Sequence, residues 1–218
     1  SVSRRAKYLL IETEHARILS HLGMSGSFRL VDPNTPLKTH DHVQIAVGGL
    51  ELRYHDPRRF GCLLWADSDR AKQLIDHLGP EPLSDAFDGD WLYAQSRRRS
   101  IAVKSFIMTN AVVVGVGNIY ASESLFLSGI HPSRAANRIS VVRYRVLAEA
   151  IKNVLARAIE SGGTTLRDFV NSQGEPGYFQ QTLMVYSRVG ERCHRCDGLI
   201  QSRVIGGRNS YFCSYCQR

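Results

Sequence analysis

Apolar positions in residues 1–66 come in short runs rich in branched and aromatic side chains: "KYLLIET", "RILSHL", "SFRLV", "HVQIAV", "ELRYH" and "CLLWA". Gly, Pro, Asp and Asn separate them, the punctuation of strands joined by tight turns. The period then changes. "SDRAKQLIDHLGPEPL" (68–83) predicts one helix stopped by Gly79-Pro80, and "WLYAQSRRRS" and "IAVKSFIM" continue in helical pattern. "VGVGNIYASESLFLSGI" (114–130) predicts a helix that opens at a glycine pair and closes at Gly129. A turn-rich link, "HPSRAANRIS", leads to "VVRYRVLAEAIKNVLARAIESGG", a long amphipathic helix whose apolar stripe is expected at Val142, Val146, Ala150, Val154 and Ala158. Gly162-Gly163 ends it, and 164–182 reads as a loop.

Cysteine spacing changes the picture of the tail. Four of the five cysteines fall in the last 26 residues, as Cys193-His-Arg-Cys196 and Cys213-Ser-Tyr-Cys216. Two C-x2-C knuckles offer four soft thiolates, the donor set of a closed, structural tetrahedral zinc site. Between them "LIQSRVIGGRNSYF" predicts a β-hairpin turning at Gly206-Gly207, with Arg203 and Arg208 near its tip. Disulfides are the competing use of these cysteines, disfavoured by the knuckle spacing and the lack of a secretory signal pattern. The fifth, Cys62, reads as a small buried hydrophobe in a strand.

Charge adds a partner class. With 28 Lys+Arg against 20 Asp+Glu, the 218-residue chain carries a formal net charge of +8, which suits a polyanion. No apolar run is long enough to span a membrane. Two stretches carry candidate chemistry for such a partner. "DPRRFG" (56–61) sets two arginines and a phenyl ring in a short loop between strands, which is poor core material. "VGVGN" places Gly115 and Gly117 before a helix, where free N–H groups attract phosphate. Dinucleotide binding is disfavoured, because a third glycine is missing.

Taken together, "RRAKYLL" (4–10), "HLGMSG" (21–26), "HDPRRFG" (55–61), "LGPEPL" (78–83), "GVGNIYASESLF" (115–126), "GGTTLRDF" (162–169) and the cysteine module are similar, in order, to bacterial formamidopyrimidine-DNA glycosylases. The resemblance covers essentially the whole chain. It implies an α+β fold: a β-sandwich lobe (1–82, incomplete at its N-terminus), a helical lobe with a helix–two-turn–helix (83–182), and a C-terminal zinc-finger β-hairpin (183–218). It implies base-excision repair on double-stranded DNA bearing an oxidised purine or an abasic site. One structural zinc ion is held by Cys193, Cys196, Cys213 and Cys216. The expected protein is a cytoplasmic, nucleoid-associated monomer.

Residue roles carry over by motif. An enzyme acting on a base in duplex DNA must turn it out of the stack, at roughly a few kcal/mol. By resemblance, Met24, Arg58 and Phe60 fill the vacated space and meet the orphaned partner base, and Arg59 takes a phosphate. Lys7 resembles the lysine that contacts phosphate near the lesion and assists the chemistry. Arg208 resembles the finger-tip arginine that grips the backbone there. His21, Lys104 and Asn118 resemble further DNA contacts, and "RDFVNSQG" (167–174) the loop that closes over the extruded base. Arg167 stands where some members have lysine, keeping the charge but altering donor geometry. Thr109 and Ala111 depart from the family's usual residues before the glycine turn.

The family's nucleophile is an N-terminal proline beside a glutamate, and the 218 residues open instead at Ser1. The expectation is therefore a family enzyme whose complete form excises oxidised purines and cuts by β,δ-elimination, with these residues alone inactive. Two other readings remain at this stage: a non-catalytic zinc-finger module for damaged or kinked DNA, and a zinc-ribbon protein for RNA or a protein partner.

Overall fold

The computed structural model describes residues 1–161 and 183–218. Two compact units emerge. One comprises Ser1–Asp76 with Glu160–Gln181, the other His77–Ile159 with Thr182–Arg218.

The first unit is built on two antiparallel sheets. One has the order β1 (Val2–Arg5), β2 (Tyr8–Glu12), β3 (Arg17–His21), β7 (Cys62–Trp65); the other has β4 (Ser27–Val31), β6 (Leu50–His55), β5 (Asp41–Val47). The six predicted strands all form. β1 is additional: "VSRR" is too polar to read as a strand, yet it pairs Arg5 with Tyr8 across a tight turn at Ala6-Lys7, with Ala6 at φ 54°. The core here is thin. Leu19, Tyr54, Ala6 and Ala71 are the buried apolar residues of this unit among those described. Ile18, Val43, Ile45, Leu63 and Leu64, from strands of both sheets, line an apolar cavity of about 550 Å³. Cys62, expected buried, is only partly so.

Helix α1 (Asp69–Ile75) is shorter than the predicted 68–83 element. Ser68 caps it, its Oγ accepting from Ala71 N–H at 3.3 Å. The chain leaves helical geometry after Asp76 rather than running on to Gly79-Pro80.

The second unit holds the main core. Helices α2 (Gly89–Ser96), α3 (Val103–Ile107), α4 (Asn118–Leu127) and α5 (Val141–Glu160) enclose Leu92, Phe106, Ile107, Leu125, Tyr144, Leu147 and Ile151. The link between α4 and α5 includes a single 3-10 turn, Ala136–Arg138, and is pinned by Val103 N–H donating to Arg134 O at 2.7 Å. The expected stripe of α5 holds at Ala150, Val154 and Ala158 but not at its start: Val142 and Val146 are 63% and 51% exposed, and Tyr144, Leu147, Ala148, Ile151 and Leu155 complete the buried face. A strict four-residue row advances about 40° per step around a 3.6-residue helix, so over four steps it winds from one face to another.

β8 (Ile200–Ile205) and β9 (Arg208–Cys213) form the predicted hairpin, with Gly206 and Gly207 at φ 57° and 73°. Two consecutive left-handed residues are what a two-residue hairpin turn requires. The module does not stand apart from the helices. Phe126 of α4 shares a buried cluster with Val185, Cys193, Ile200 and Cys213. Among the described residues no helix is long and apolar enough to cross a membrane.

Candidate functional site

In the first unit, two turns project side by side. The β3–β4 turn carries Met24, and the β6–β7 turn carries Arg58, Arg59 and Phe60. Met24 is 62% and Phe60 60% exposed, so neither is a core residue, and the Arg58 guanidinium lies 5.3 Å from the Phe60 ring centre. The turns touch through backbone. A Cβ on Gly23, itself at φ 67°, would lie 2.6 Å from the Phe60 carbonyl carbon, so only glycine allows this approach. Asp56 is buried beneath them. Its Oδ2 accepts from Gly61 N–H at 2.8 Å and from the Tyr54 hydroxyl at 3.2 Å. Arg59 takes φ 55°, with its N–H on Asp56 O at 3.3 Å. Sequence reasoning quoted Asp56 within its motif but gave it no role, and Tyr54 passed as an ordinary strand residue.

Lys7 and His21 meet electrostatically on the same sheet. Burial, and then the Lys7 charge, push the His21 imidazole below its usual range. The neutral ring accepts from Gly23 N–H at Nδ1, 2.9 Å away, which orients the start of the Met24 turn.

In the second unit, Lys104, Asn118 and the hairpin tip come together. Lys104 was expected as a DNA-facing cation. Instead it is 1% exposed, with its ammonium directed inward. The ammonium donates to Asn118 Oδ1, to Ser210 Oγ at 2.6 Å and to Asn209 O at 3.1 Å. Burial, and then the nearby Arg208 charge, lower its pKa to about 8. Asn118 donates in turn to Asn209 O at 3.1 Å and to the Tyr186 hydroxyl at 3.4 Å. Lys104 therefore ties α3 to the start of α4 and to the strand that begins at Arg208. Arg208 itself is exposed. Arg167 and the 167–174 segment lie outside the described residues.

Glu123 is a second buried anchor that the sequence did not betray. Its carboxylate accepts the backbone N–H groups of Met184 at 2.8 Å, Val185 at 3.0 Å and Tyr186 at 2.9 Å. These fasten the entry of the cysteine module to α4. That Glu123 is the one charged residue of α4 was the available signal.

The four thiols converge. Cys196 Sγ lies 3.5 Å from both Cys213 and Cys216, Cys193 lies 3.9 Å from Cys216, and all four are within 4.8 Å of one another. Tetrahedral Zn–S bonds of about 2.3 Å place sulfurs about 3.8 Å apart, so the cage fits one zinc ion. All four cysteines are free of disulfides. Burial, and then the neighbouring sulfurs, push the Cys216 thiol up to about 12. Four thiolates therefore need a cation to coexist there.

Three family models match in chain order. The Formamidopyrimidine-DNA glycosylase N-terminal domain covers residues 1–63, the Formamidopyrimidine-DNA glycosylase H2TH domain 78–170, and the zinc finger found in FPG and IleRS 190–218. The formamidopyrimidine-DNA glycosylase of Alcanivorax borkumensis is 59% identical over 219 residues, covering all of this chain and 81% of that protein. Its counterpart from Pseudomonas aeruginosa (strain UCBPP-PA14) is 58% identical with the same coverage. Among solved structures, a complex of the Lactococcus lactis Fpg with abasic-site-containing DNA matches with a TM-score of 0.89 at 34% identity, over all of this chain and 81% of that one. A structure of MutM in complex with DNA containing carbocyclic 8-oxo-G matches with a TM-score of 0.87 at 34% identity, over all of this chain and 80% of that one. Sheets, helix pair and zinc cage thus define the class: zinc-finger DNA glycosylases of base-excision repair. Within it, the chain belongs to the formamidopyrimidine-DNA glycosylase family.

Proposed function

We propose that this chain engages double-stranded DNA at an oxidised purine or abasic nucleotide, with Met24, Arg58 and Phe60 occupying the space left when that nucleotide turns outward. The observation that carries the reading is the pair of exposed, interlocked turns, which display a flexible apolar chain, a planar cation and a ring where packing does not need them. Met24 fills the vacated stack, Arg58 offers donors to the orphaned base, and Phe60 wedges between bases. Arg59, Lys7, His21, Asn118 and Arg208 make phosphate and groove contacts, and Arg167 a contact from the lesion loop.

The complete enzyme removes 8-oxoguanine and formamidopyrimidines and then cuts the abasic site by β,δ-elimination. Its secondary-amine nucleophile attacks the anomeric carbon, the base departs, and the resulting iminium accepts electrons during elimination. Lys7 and Arg208 support this by holding the phosphates beside the reacting sugar.

Binding of the 218-residue protein to a duplex with a tetrahydrofuran abasic analogue, compared with an undamaged duplex, tests the reading. The analogue should bind tighter, with a log–log salt slope of about −0.9 for each neutralised phosphate. Equal affinities with a flat salt profile would sink it.

A further inference from the structure

We infer that Tyr54 and Asp56 are positioning residues that hold the Met24 turn and the Arg58–Phe60 turn together as one preassembled wedge. The inference rests on the wedge reading above and deepens it.

Each turn carries the chain from one sheet to the other, β3 to β4 and β6 to β7, and strand pairing ties their bases, His21 opposite Cys62 and Ser27 opposite His55. The tips lie beyond that pairing, and a short chain of side-chain contacts holds them. The Tyr54 hydroxyl bridges β6 to β3: its single proton is shared between Asp56 Oδ2 at 3.2 Å, the nearer acceptor, and His21 O at 3.4 Å. Asp56 Oδ2 also takes Gly61 N–H at 2.8 Å, the residue directly after Phe60. His21 then receives Gly23 N–H on its ring, and Gly26 N–H closes the Met24 turn on Leu22 O at 2.9 Å. Space enforces the same arrangement. A Cβ on Gly61 would lie 1.8 Å from the Tyr54 hydroxyl and 2.4 Å from His21 O, and one on Gly23 would meet the Phe60 carbonyl. Beyond the strand pairing at their bases, Tyr54 and Asp56 supply side-chain links between the two turns, and Gly23 and Gly61 admit the close approach.

The chemistry of the lock points to geometry rather than stability. Asp56 Oδ1 is buried with no hydrogen-bond partner among the described residues, an expensive state for a carboxylate. Burial, and then the Asp56 charge, raise the Tyr54 pKa, which keeps the hydroxyl protonated and able to donate. A wedge already assembled in the free protein loses less conformational freedom when it enters DNA, and the gain appears only where a gap exists to receive it.

The experiment uses the 218-residue protein with Tyr54→Phe, Asp56→Ala and Phe60→Ala. Binding is measured to the tetrahydrofuran duplex and to undamaged duplex, with 2-aminopurine emission reporting the base opposite the analogue. Tyr54→Phe removes one oxygen and retains the ring, so its fold is secure. It should lower preference for the analogue about three- to tenfold, with undamaged-duplex affinity unchanged and the 2-aminopurine response reduced. Asp56→Ala should lower the preference further. A merely destabilising change would weaken both duplexes together, and that result overturns the inference. So does wild-type preference in Tyr54→Phe and Asp56→Ala while Phe60→Ala loses it, an outcome that leaves the wedge standing. Wild-type preference in Phe60→Ala would remove the wedge reading and the lock with it.

Discussion

Replacing Lys104 by methionine isolates the energetics of a buried ammonium. Folding lowers its pKa from 10.5 to about 8, with burial the first cause and Arg208 the second. That difference corresponds to about 3 kcal/mol of penalty on the charged form, an order-of-magnitude figure. The sign follows from proton counting. Between pH 8 and 10.5 the unfolded chain holds a proton on this lysine that the folded chain has released, so stability rises with pH across the window. Below pH 8 both states are protonated, and the penalty is constant. The three acceptors, Asn118 Oδ1, Ser210 Oγ and Asn209 O, lose their shared donor in the variant whatever the pH. Urea unfolding of wild type and Lys104→Met at pH 7, 8, 9 and 10 therefore gives a stability difference that shifts toward wild type on going alkaline. Its slope should approach about 1.4 kcal/mol per pH unit at the centre of the window. Groups common to both proteins cancel. A difference that stays flat from pH 7 to 10 would refute the buried, depressed lysine.

Three further outcomes are expected. Asp41 sits on Arg29 at 2.6 Å and accepts from the Lys38 N–H and His55; burial opposes ionisation, but these bonds prevail and hold its pKa down to about 2. It should contribute about 2 kcal/mol that is present above pH 3.8 and lost as pH falls toward 2, so Asp41→Asn should flatten the acid limb of a urea-stability profile. Glu123→Gln removes the charge from all three bonds and sets the amide NH2 against at least one of the three backbone N–H groups, and should destabilise the second unit by about 2–3 kcal/mol in chemical unfolding. Metal analysis should find one zinc per chain, and chelation should abolish hydrogen-exchange protection of β8 and β9, because structural zinc supplies about 10 kcal/mol or more; a hairpin still protected after metal loss would contradict the cage.

Local chemistry was readable from the chain by itself. Four cysteines in two knuckles announce a metal cage because the ligand spacing is local. Gly206-Gly207 announces a hairpin because the turn needs two left-handed residues in succession. Strand runs, helix runs and the exposed character of the Phe60 loop were legible for the same reason. The tertiary structure alone decided which face of α5 is buried, since a four-residue row drifts around the helix and its neighbours choose the arc that counts. It also decided that Lys104 turns inward. A lysine's ordinary preference is for water, and it is overturned only by acceptors at positions 118, 209 and 210, more than a hundred residues away for the last two. Glu123 with residues 184–186, and Asp56 with the two turns above it, follow the same rule: a side chain's role is written in its partners, and folding is what brings them within reach.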